Sequence, residues 1–168
     1  LREALALDGG GEGVVALAPG AESGPAKRWP APRWAELARE LARRGRAVWV
    51  FGSSAERELG RTIAGAGGQR VRDLTGRTEL PDVVDLMALC RTTVTNDSGL
   101  MHLAAAVGCE VVALFGPTDP GYTPPFTDHA RVLRLDLPCS PCHEPVCPLG
   151  HHDCLRGLPV ETVLEAVP

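Results

Sequence analysis

Aromatic residues and long apolar runs are both scarce in this sequence. Aromatics make up 4% of the residues and hydrophobic residues 44%, so a core can form but must consist mainly of Ala, Val and Leu. No run of about 18 apolar residues occurs, which argues against a membrane-spanning helix. The N-terminus lacks the basic start and apolar stretch of a signal peptide. We therefore expect a cytoplasmic protein whose six cysteines are mostly reduced.

An excess of basic charge is also lacking. The formal net charge is -4, and no basic block is long enough to bind nucleic acid by charge alone. The densest group of arginines falls on a predicted helix that is also rich in Glu, and it consists of Arg39, Arg43, Arg44 and Arg46. We interpret it as a solvated helix face and expect no nucleic-acid partner.

The length of 168 residues fits one domain and leaves little room for a second. The first residue is not Met, and the opening stretch has the composition of a linker. Residues 1–12 are therefore predicted to lead in from a domain upstream. Residues 13–168 are predicted to form one domain, which includes a Cys/His-rich segment over 138–156.

Short apolar or β-branched runs alternate with helical patterns along the chain. Strands are predicted over residues 14–18, 47–51, 92–95, 111–114 and 131–135. A first helix is predicted after Trp29-Pro30, with Trp34 on its apolar face and a stop at Gly45. Further helices are predicted after Ser53, from Pro81 with Cys90 on the apolar stripe, from residue 96 to a stop at Gly108, and over 159–167. Residues 73–79 are predicted to be a loop. This alternation predicts an α/β fold, a Rossmann-like parallel sheet with helices on both faces. Such sheets bind ligands at the carboxyl ends of their strands.

One predicted helix start carries an unusual run of residues: Asn96, Asp97, Ser98, Gly99, Leu100, Met101 and His102. A helix N-terminus has free N–H groups and a partial positive charge, which suit a phosphate. Gly99 allows a ligand to approach the backbone, and Ser98 and His102 share one helix face. The alternative is that Asn96 or Asp97 only caps the helix and that His102 is a partly buried polar residue.

Three further loops follow predicted strands. In the loop over residues 19–30, Ser23 and Lys27 offer a hydroxyl and a cation to a diphosphate, whereas Arg28 is expected to point outward. In the next loop, Glu56 either accepts from ribose hydroxyls or serves only a capping box with Ser53. Residues 116–120 either line the rim of a pocket or simply form turns.

Three of these motifs resemble those of a known family. The run Pro19-Gly-Ala-Glu-Ser-Gly-Pro-Ala-Lys-Arg-Trp-Pro30, the run Thr95-Asn-Asp-Ser-Gly-Leu-Met-His-Leu-Ala-Ala-Ala106 and the run Ala113-Leu-Phe-Gly-Pro-Thr-Asp-Pro120 are similar to lipopolysaccharide heptosyltransferases of glycosyltransferase family 9. The similarity extends over nearly the whole chain, in the same order. It implies a GT-B enzyme with two Rossmann-like domains, of which this chain resembles the C-terminal one that holds ADP-heptose.

The resemblance also implies roles for individual residues. Lys27 would contact the diphosphate, with Ser23 nearby. Glu56 would contact the ribose or the adenosine. The phosphates and sugar would be held by Asp97, Ser98, Gly99, Leu100 and His102. No cofactor would be required, because N–H groups and a lysine can stabilise a leaving diphosphate without a metal.

The implied reaction is an inverting displacement, in which an acceptor hydroxyl attacks the anomeric carbon while ADP leaves. In the family the general base is an Asp of the N-terminal domain, which would also take the lipopolysaccharide core acceptor. We therefore expect this chain to bind ADP without transferring sugar. The implied location is the cytoplasm, with at most peripheral contact to the inner face of the inner membrane.

Cysteines and histidines concentrate near the C-terminus. Cys139, Cys142, Cys147 and Cys154 have the spacing C-x2-C-x4-C-x6-C, with His143, His151 and His152 between them. Four thiolates, or fewer with a His, suit a tetrahedral zinc ion, although the second half of the spacing is irregular for a zinc ribbon. The alternatives are disulfides or free thiols packed against the core. Cys90 and Cys109 are interpreted as small core residues.

Two other functions stay open at this point. The first is another GT-B sugar-nucleotide enzyme, such as an epimerase or a different glycosyltransferase, and selective binding of a uridine over an adenine nucleotide would favour it. The second is an interaction module stapled by a metal at the Cys/His-rich segment, which would bind zinc and no nucleotide.

Overall fold

The computed structural model describes Leu5, Leu7 and residues 11–168 of the chain, with only the backbone described at residues 11 and 12. The strands are β1 (Gly11–Ala18), β2 (Ala47–Val50), β3 (Val71–Asp73), β4 (Cys90–Asn96), β5 (Glu110–Leu114) and β6 (Ala130–Leu133). The helices are α1 (Ala31–Arg43), α2 (Arg57–Gly67), α3 (Leu80–Met87), α4 (Gly99–Ala106), α5 (Asp153–Arg156) and α6 (Val160–Ala166). Short 3-10 turns lie at Pro25–Lys27, Ser54–Glu56 and Gly68–Arg70.

The six strands form one parallel sheet in the order β3-β2-β1-β4-β5-β6. The chain moves outward from β1 to β3, then returns to place β4 on the other side of β1. The loops after β1 and β4 therefore diverge and leave a crevice at their carboxyl ends. This topology confirms the predicted α/β parallel sheet.

Two apolar cores lie on opposite faces of the sheet. Alternation along β1 sends Val15 and Leu17 to one core and Val14 and Ala16 to the other. Helices α1, α2 and α6 cover the first face, and α3 and α4 cover the second. Because both faces are covered, β2, β5 and residues 14–18 of β1 are apolar almost throughout. Strand β4 differs, since it buries Thr92, Thr93, Thr95 and Asn96.

Three details differ from the sequence predictions. Strand β3 was not predicted and takes in Asp73, because three residues at a sheet edge give no periodic signal. Cys90 is not on a helical stripe; α3 ends at Met87 and Cys90 begins β4. It is nonetheless buried, as predicted, and this burial raises the pKa of its thiol. The short helix α5 was also missed.

The structure shows where the packed part of the domain begins and where two predicted helices end. Strand β1 begins at Gly11 and Leu7 is buried in the core of the second face, so packing extends upstream of the boundary predicted at residue 13. Residues 1–4, 6 and 8–10 of the predicted linker lie outside the described residues. Gly45 and Gly108 end helices, as predicted, and their φ angles of 83° and 85° lie in the left-handed region.

In the described part of the chain, no helix combines the length and apolarity needed to cross a bilayer.

Candidate functional site

Asn96 ties together the two loops that flank the crevice between β1 and β4. Its side chain is fully buried; Nδ2 donates to the carbonyl of Pro19 at 2.7 Å and Oδ1 accepts from the Trp29 N–H at 3.3 Å. Both ends of the loop after β1 are thus fixed to the end of β4. The loop cannot swing away without leaving buried backbone groups unpaired, which is costly.

Lys27, Asp97 and Thr118 meet at the carboxyl end of the sheet. Lys27 Nζ lies 2.7 Å from Asp97 Oδ2, and Thr118 Oγ1 donates to the same oxygen at 2.7 Å. The side chains of Lys27 and Asp97 are 19% and 7% exposed, so the ion pair is largely desolvated. Lys27 is also the single lysine among the 17 basic residues of the sequence. A compact ammonium therefore stands at the crevice, with two of its three N–H donors left for another anion.

The N-terminus of α4 is open to the crevice. Ser98 is the residue that precedes the helix, and no side chain caps the first turn. Gly99 is exposed, and a Cβ placed on it would have no atom within 4 Å. The interpretation of Asn96 or Asp97 as a simple cap is therefore wrong, because their side chains bond to the neighbouring loops instead. The N–H groups of Gly99 and Leu100 stay available to an anion, whereas that of Met101 donates to the Ser98 carbonyl at 3.1 Å.

The remaining residues of this motif lie along the same helix. Ser98 Oγ is 3.3 Å from Thr95 Oγ1, and Leu100 is half-buried. The imidazole of His102 packs at 5.6 Å from the ring of Phe126, which lies in the loop after β5. Its Nδ1 is buried and has no hydrogen-bond partner among the described residues. A polar atom in that position is costly unless a ligand or water pairs with it.

Glu56 lies at the same edge of the sheet, after β2. Its Oε2 accepts from the N–H and hydroxyl of Ser53 at 2.7 and 3.1 Å, so the predicted capping box is present. The same carboxylate rests against Gly20, where an added Cβ would overlap it. Glu56 therefore both caps the turn and reaches the loop after β1, and the two interpretations of the sequence do not exclude each other.

Two predicted residues of the loop after β1 stand apart from the ion pair. Ser23 is exposed in a turn, and the structure gives its hydroxyl no contact with Lys27 or Asp97. Arg28 is exposed, as expected, and its guanidinium donates to the carbonyl of Ala21 at 3.1 and 3.2 Å. Thr118 was not singled out as a site residue, although the sequence analysis gave residues 116–120 as a candidate pocket rim. The available signal was that residues 116–120 follow β5, the neighbour of β4.

Comparison with known proteins assigns this arrangement to a family. The sequence profile described as glycosyltransferase family 9 (heptosyltransferase) matches residues 2–152. The chain belongs to glycosyltransferase family 9. The match includes all three motifs on which the resemblance was based, so the predicted family is confirmed.

Relatives within the family are similar in sequence and in structure. The chain is 48% identical over 126 residues to lipooligosaccharide heptosyltransferase 2 of Haemophilus influenzae, covering 73% of this chain and 36% of the relative. It is 42% identical over 156 residues to lipopolysaccharide heptosyltransferase 2 of Salmonella typhimurium, covering 90% and 45%. The solved structure of Escherichia coli ADP-heptose lps heptosyltransferase II superposes with a TM-score of 0.85 at 39% identity, covering 99% of this chain and 48% of that one. The chain thus spans about half the length of the relatives it matches.

The Cys/His-rich segment packs beneath the two loops that carry Lys27 and Thr118. Pro145 O accepts from the Ala26 N–H at 3.1 Å, His143 N donates to Pro117 O at 2.7 Å, and Ser140 Oγ donates to Gly116 O at 2.6 Å. Ala26 is the immediate neighbour of Lys27, and Gly116 and Pro117 are the two residues before Thr118. The segment therefore fixes the backbone of the two loops that carry Lys27 and Thr118.

The four cysteines of the segment line one small cavity but form no metal centre. Cys139 Sγ lies 3.9 Å from His151 Nε2, and Cys142, Cys147 and Cys154 also line the cavity. Among the described residues no group of three or more His, Cys, Asp or Glu side chains is arranged to hold a metal ion. The four thiols are free rather than disulfide-bonded. The zinc hypothesis thus finds no support in the geometry, and partly buried free thiols are the alternative that fits.

Proposed function

We propose that this chain is the domain that binds the sugar donor in an inverting glycosyltransferase that transfers heptose from ADP-heptose to the inner core of lipopolysaccharide. The observation that carries the proposal is the meeting of Lys27 with Asp97 beside the open N-terminus of α4. Membership of glycosyltransferase family 9 supports the reaction class. The name of the Escherichia coli relative, which includes ADP-heptose, supports the choice of donor.

In this proposal different residues of the crevice bind different parts of the donor. The ammonium of Lys27 and the N–H groups at Gly99 and Leu100 bind the diphosphate, where negative charge grows as ADP leaves. Ser23, which is exposed in the turn before Lys27, supplies a hydroxyl to the same diphosphate in this proposal. The sugar and its phosphate are bound by Asp97, Ser98 and His102. The unpaired Nδ1 of His102 gains a hydrogen-bond partner from this ligand.

The nucleoside and the acceptor complete the proposal. Glu56 accepts from the ribose, because its carboxylate reaches Gly20 at the mouth of the crevice. The general base and the lipopolysaccharide acceptor site belong to the other half of the enzyme, by resemblance to the family. We also propose a cytoplasmic location, with at most peripheral contact to the inner face of the inner membrane, where that acceptor is expected.

Calorimetric titration with ADP and UDP tests the proposal directly. We expect ADP to bind this chain at least about tenfold more tightly than UDP, because hydrogen bonds shaped to one base reject another. Equal affinity, or preference for UDP, would favour a different GT-B sugar-nucleotide enzyme. If the chain binds neither ADP nor UDP, the proposed nucleotide site is wrong.

Gly20→Ala should separate nucleoside binding from folding. The new methyl group would overlap the Glu56 carboxylate, which sits at the end of a flexible side chain and can swing away. We expect ADP affinity to fall about tenfold, as for loss of a hydrogen bond to a charged group. The melting temperature should fall by only about 2–4 °C, the effect of losing the capping contacts with Ser53. Calorimetry and circular dichroism measure the two effects.

The matched control is Gly65→Ala, on the exposed side of α2. A Cβ there has no atom within 4 Å, so this substitution should leave ADP binding unchanged. If Gly20→Ala binds ADP as well as the original chain does, Glu56 has no part in the nucleoside site.

A further inference from the structure

We propose that Thr118 is a positioning residue, which holds Asp97 so that its second carboxylate oxygen is presented to the sugar of a nucleoside-diphosphate sugar. The inference rests on the proposed function and deepens it, since it concerns the part of the donor that distinguishes a sugar nucleotide from the free nucleotide.

The first step is the distribution of hydrogen bonds on Asp97. Lys27 Nζ and Thr118 Oγ1 both bond to Oδ2, each at 2.7 Å. An ionised carboxylate oxygen has two lone pairs, so these two donors saturate Oδ2. Among the described residues no side chain or backbone group bonds to Oδ1, and Oδ1 is not among the buried polar atoms that lack a partner. Within the part of the chain that the structure describes, Oδ1 is therefore an acceptor without a partner, on a side chain that is 7% exposed.

The second step concerns what happens when a diphosphate arrives. A phosphate competes with Asp97 for the ammonium of Lys27, because both are anions and lysine is a flexible point charge. The Thr118 hydroxyl is neutral and short, so a phosphate does not draw it away by charge. Thr118 is then the contact that keeps the Asp97 carboxylate in place, with Oδ1 free to accept from a sugar hydroxyl.

The third step is the rigidity of the loop that carries Thr118. The two preceding residues are held by the Cys/His-rich segment, since Ser140 Oγ donates to Gly116 O at 2.6 Å and His143 N donates to Pro117 O at 2.7 Å. Proline at position 117 also fixes its own φ. The hydroxyl is therefore held by backbone anchors that do not depend on Lys27, which is what a positioning group requires.

The test compares Thr118→Val with Thr118→Ser in this chain. Valine keeps the shape and removes the hydroxyl, whereas serine keeps the hydroxyl. We expect Thr118→Val to bind ADP within about twofold of the original chain but ADP-heptose about tenfold more weakly, since one charged hydrogen bond to the sugar is lost. Thr118→Ser should restore the ADP-heptose affinity. Isothermal titration with both ligands measures each value.

Controls make each outcome decisive. Thr127→Val removes a hydroxyl from the same loop, where Thr127 Oγ1 accepts from the His129 N–H at 3.1 Å, and should change neither affinity. Equal losses for ADP and ADP-heptose, no loss, or failure of serine to rescue would each overturn the role of Thr118. If Thr118→Val melts below the assay temperature, Thr118→Ala replaces it against the same serine variant. Failure of the original chain to bind either ligand refutes the proposed function itself, and is seen before any variant is made.

Discussion

Lys27→Ala is expected to lower the affinity of this chain for ADP by about 100-fold. A charge-assisted hydrogen bond contributes about 1.5–3 kcal/mol, and its loss alone accounts for roughly ten- to 100-fold. The substitution also leaves Asp97, whose side chain is 7% exposed, without its cation at the mouth of the crevice. An incoming diphosphate then meets an unneutralised carboxylate, which places the effect at the upper end of that range.

A double substitution separates these two contributions. In Lys27→Ala/Asp97→Asn the repulsive charge is gone, so affinity should recover in part if Lys27 also contacts the phosphates. Full recovery would mean that Lys27 only neutralises Asp97. An unchanged affinity in the single variant would refute the phosphate role altogether. Arg43→Ala, which removes an exposed cation paired with Glu40, controls for general charge and should have no effect.

Asn96→Ala is expected to lower the free energy of unfolding by about 3 kcal/mol, because it leaves the Pro19 carbonyl and the Trp29 N–H buried without their side-chain partner. For a domain of this size that corresponds to a fall in melting temperature of about 6–12 °C. The loop after β1 also loses its tie to β4, so Lys27 should be less well placed and ADP affinity should fall as well. Thermal and urea denaturation followed by circular dichroism measure the stability change.

Arg43→Ala again provides the comparison, since its side chain is 71% exposed and its ion pair should contribute less than about 1 kcal/mol. If Asn96→Ala is no less stable than Arg43→Ala, the cross-link between the two loops has no energetic importance. Asn96→Asp is a stricter variant, because it keeps the acceptor but replaces the N–H donor to Pro19 with a charged oxygen in a buried site. It should be at least as destabilising as the alanine.

The sheet and its helices were predictable because their signals are local. The runs at residues 14–18 and 111–114 are continuous and apolar, which is the pattern of strands buried on both faces. Gly45 and Gly108 mark helix ends because an L residue resists the left-handed conformation found there. Strand β3 was missed for the opposite reason, since its three residues are too few to show a period.

The sequence alone determined which chemical groups stand at the carboxyl ends of the strands, because residue type and position after a strand are both local properties. Only the tertiary structure decided which of them meet. Lys27 and Asp97 are 70 positions apart, and Thr118 lies 21 beyond Asp97. They are brought to one oxygen atom by the return of the chain from β3 to β4, and by a Cys/His-rich segment that packs beneath their loops. No periodicity in a sequence records such contacts, because they depend on strand order and on backbone hydrogen bonds between distant segments.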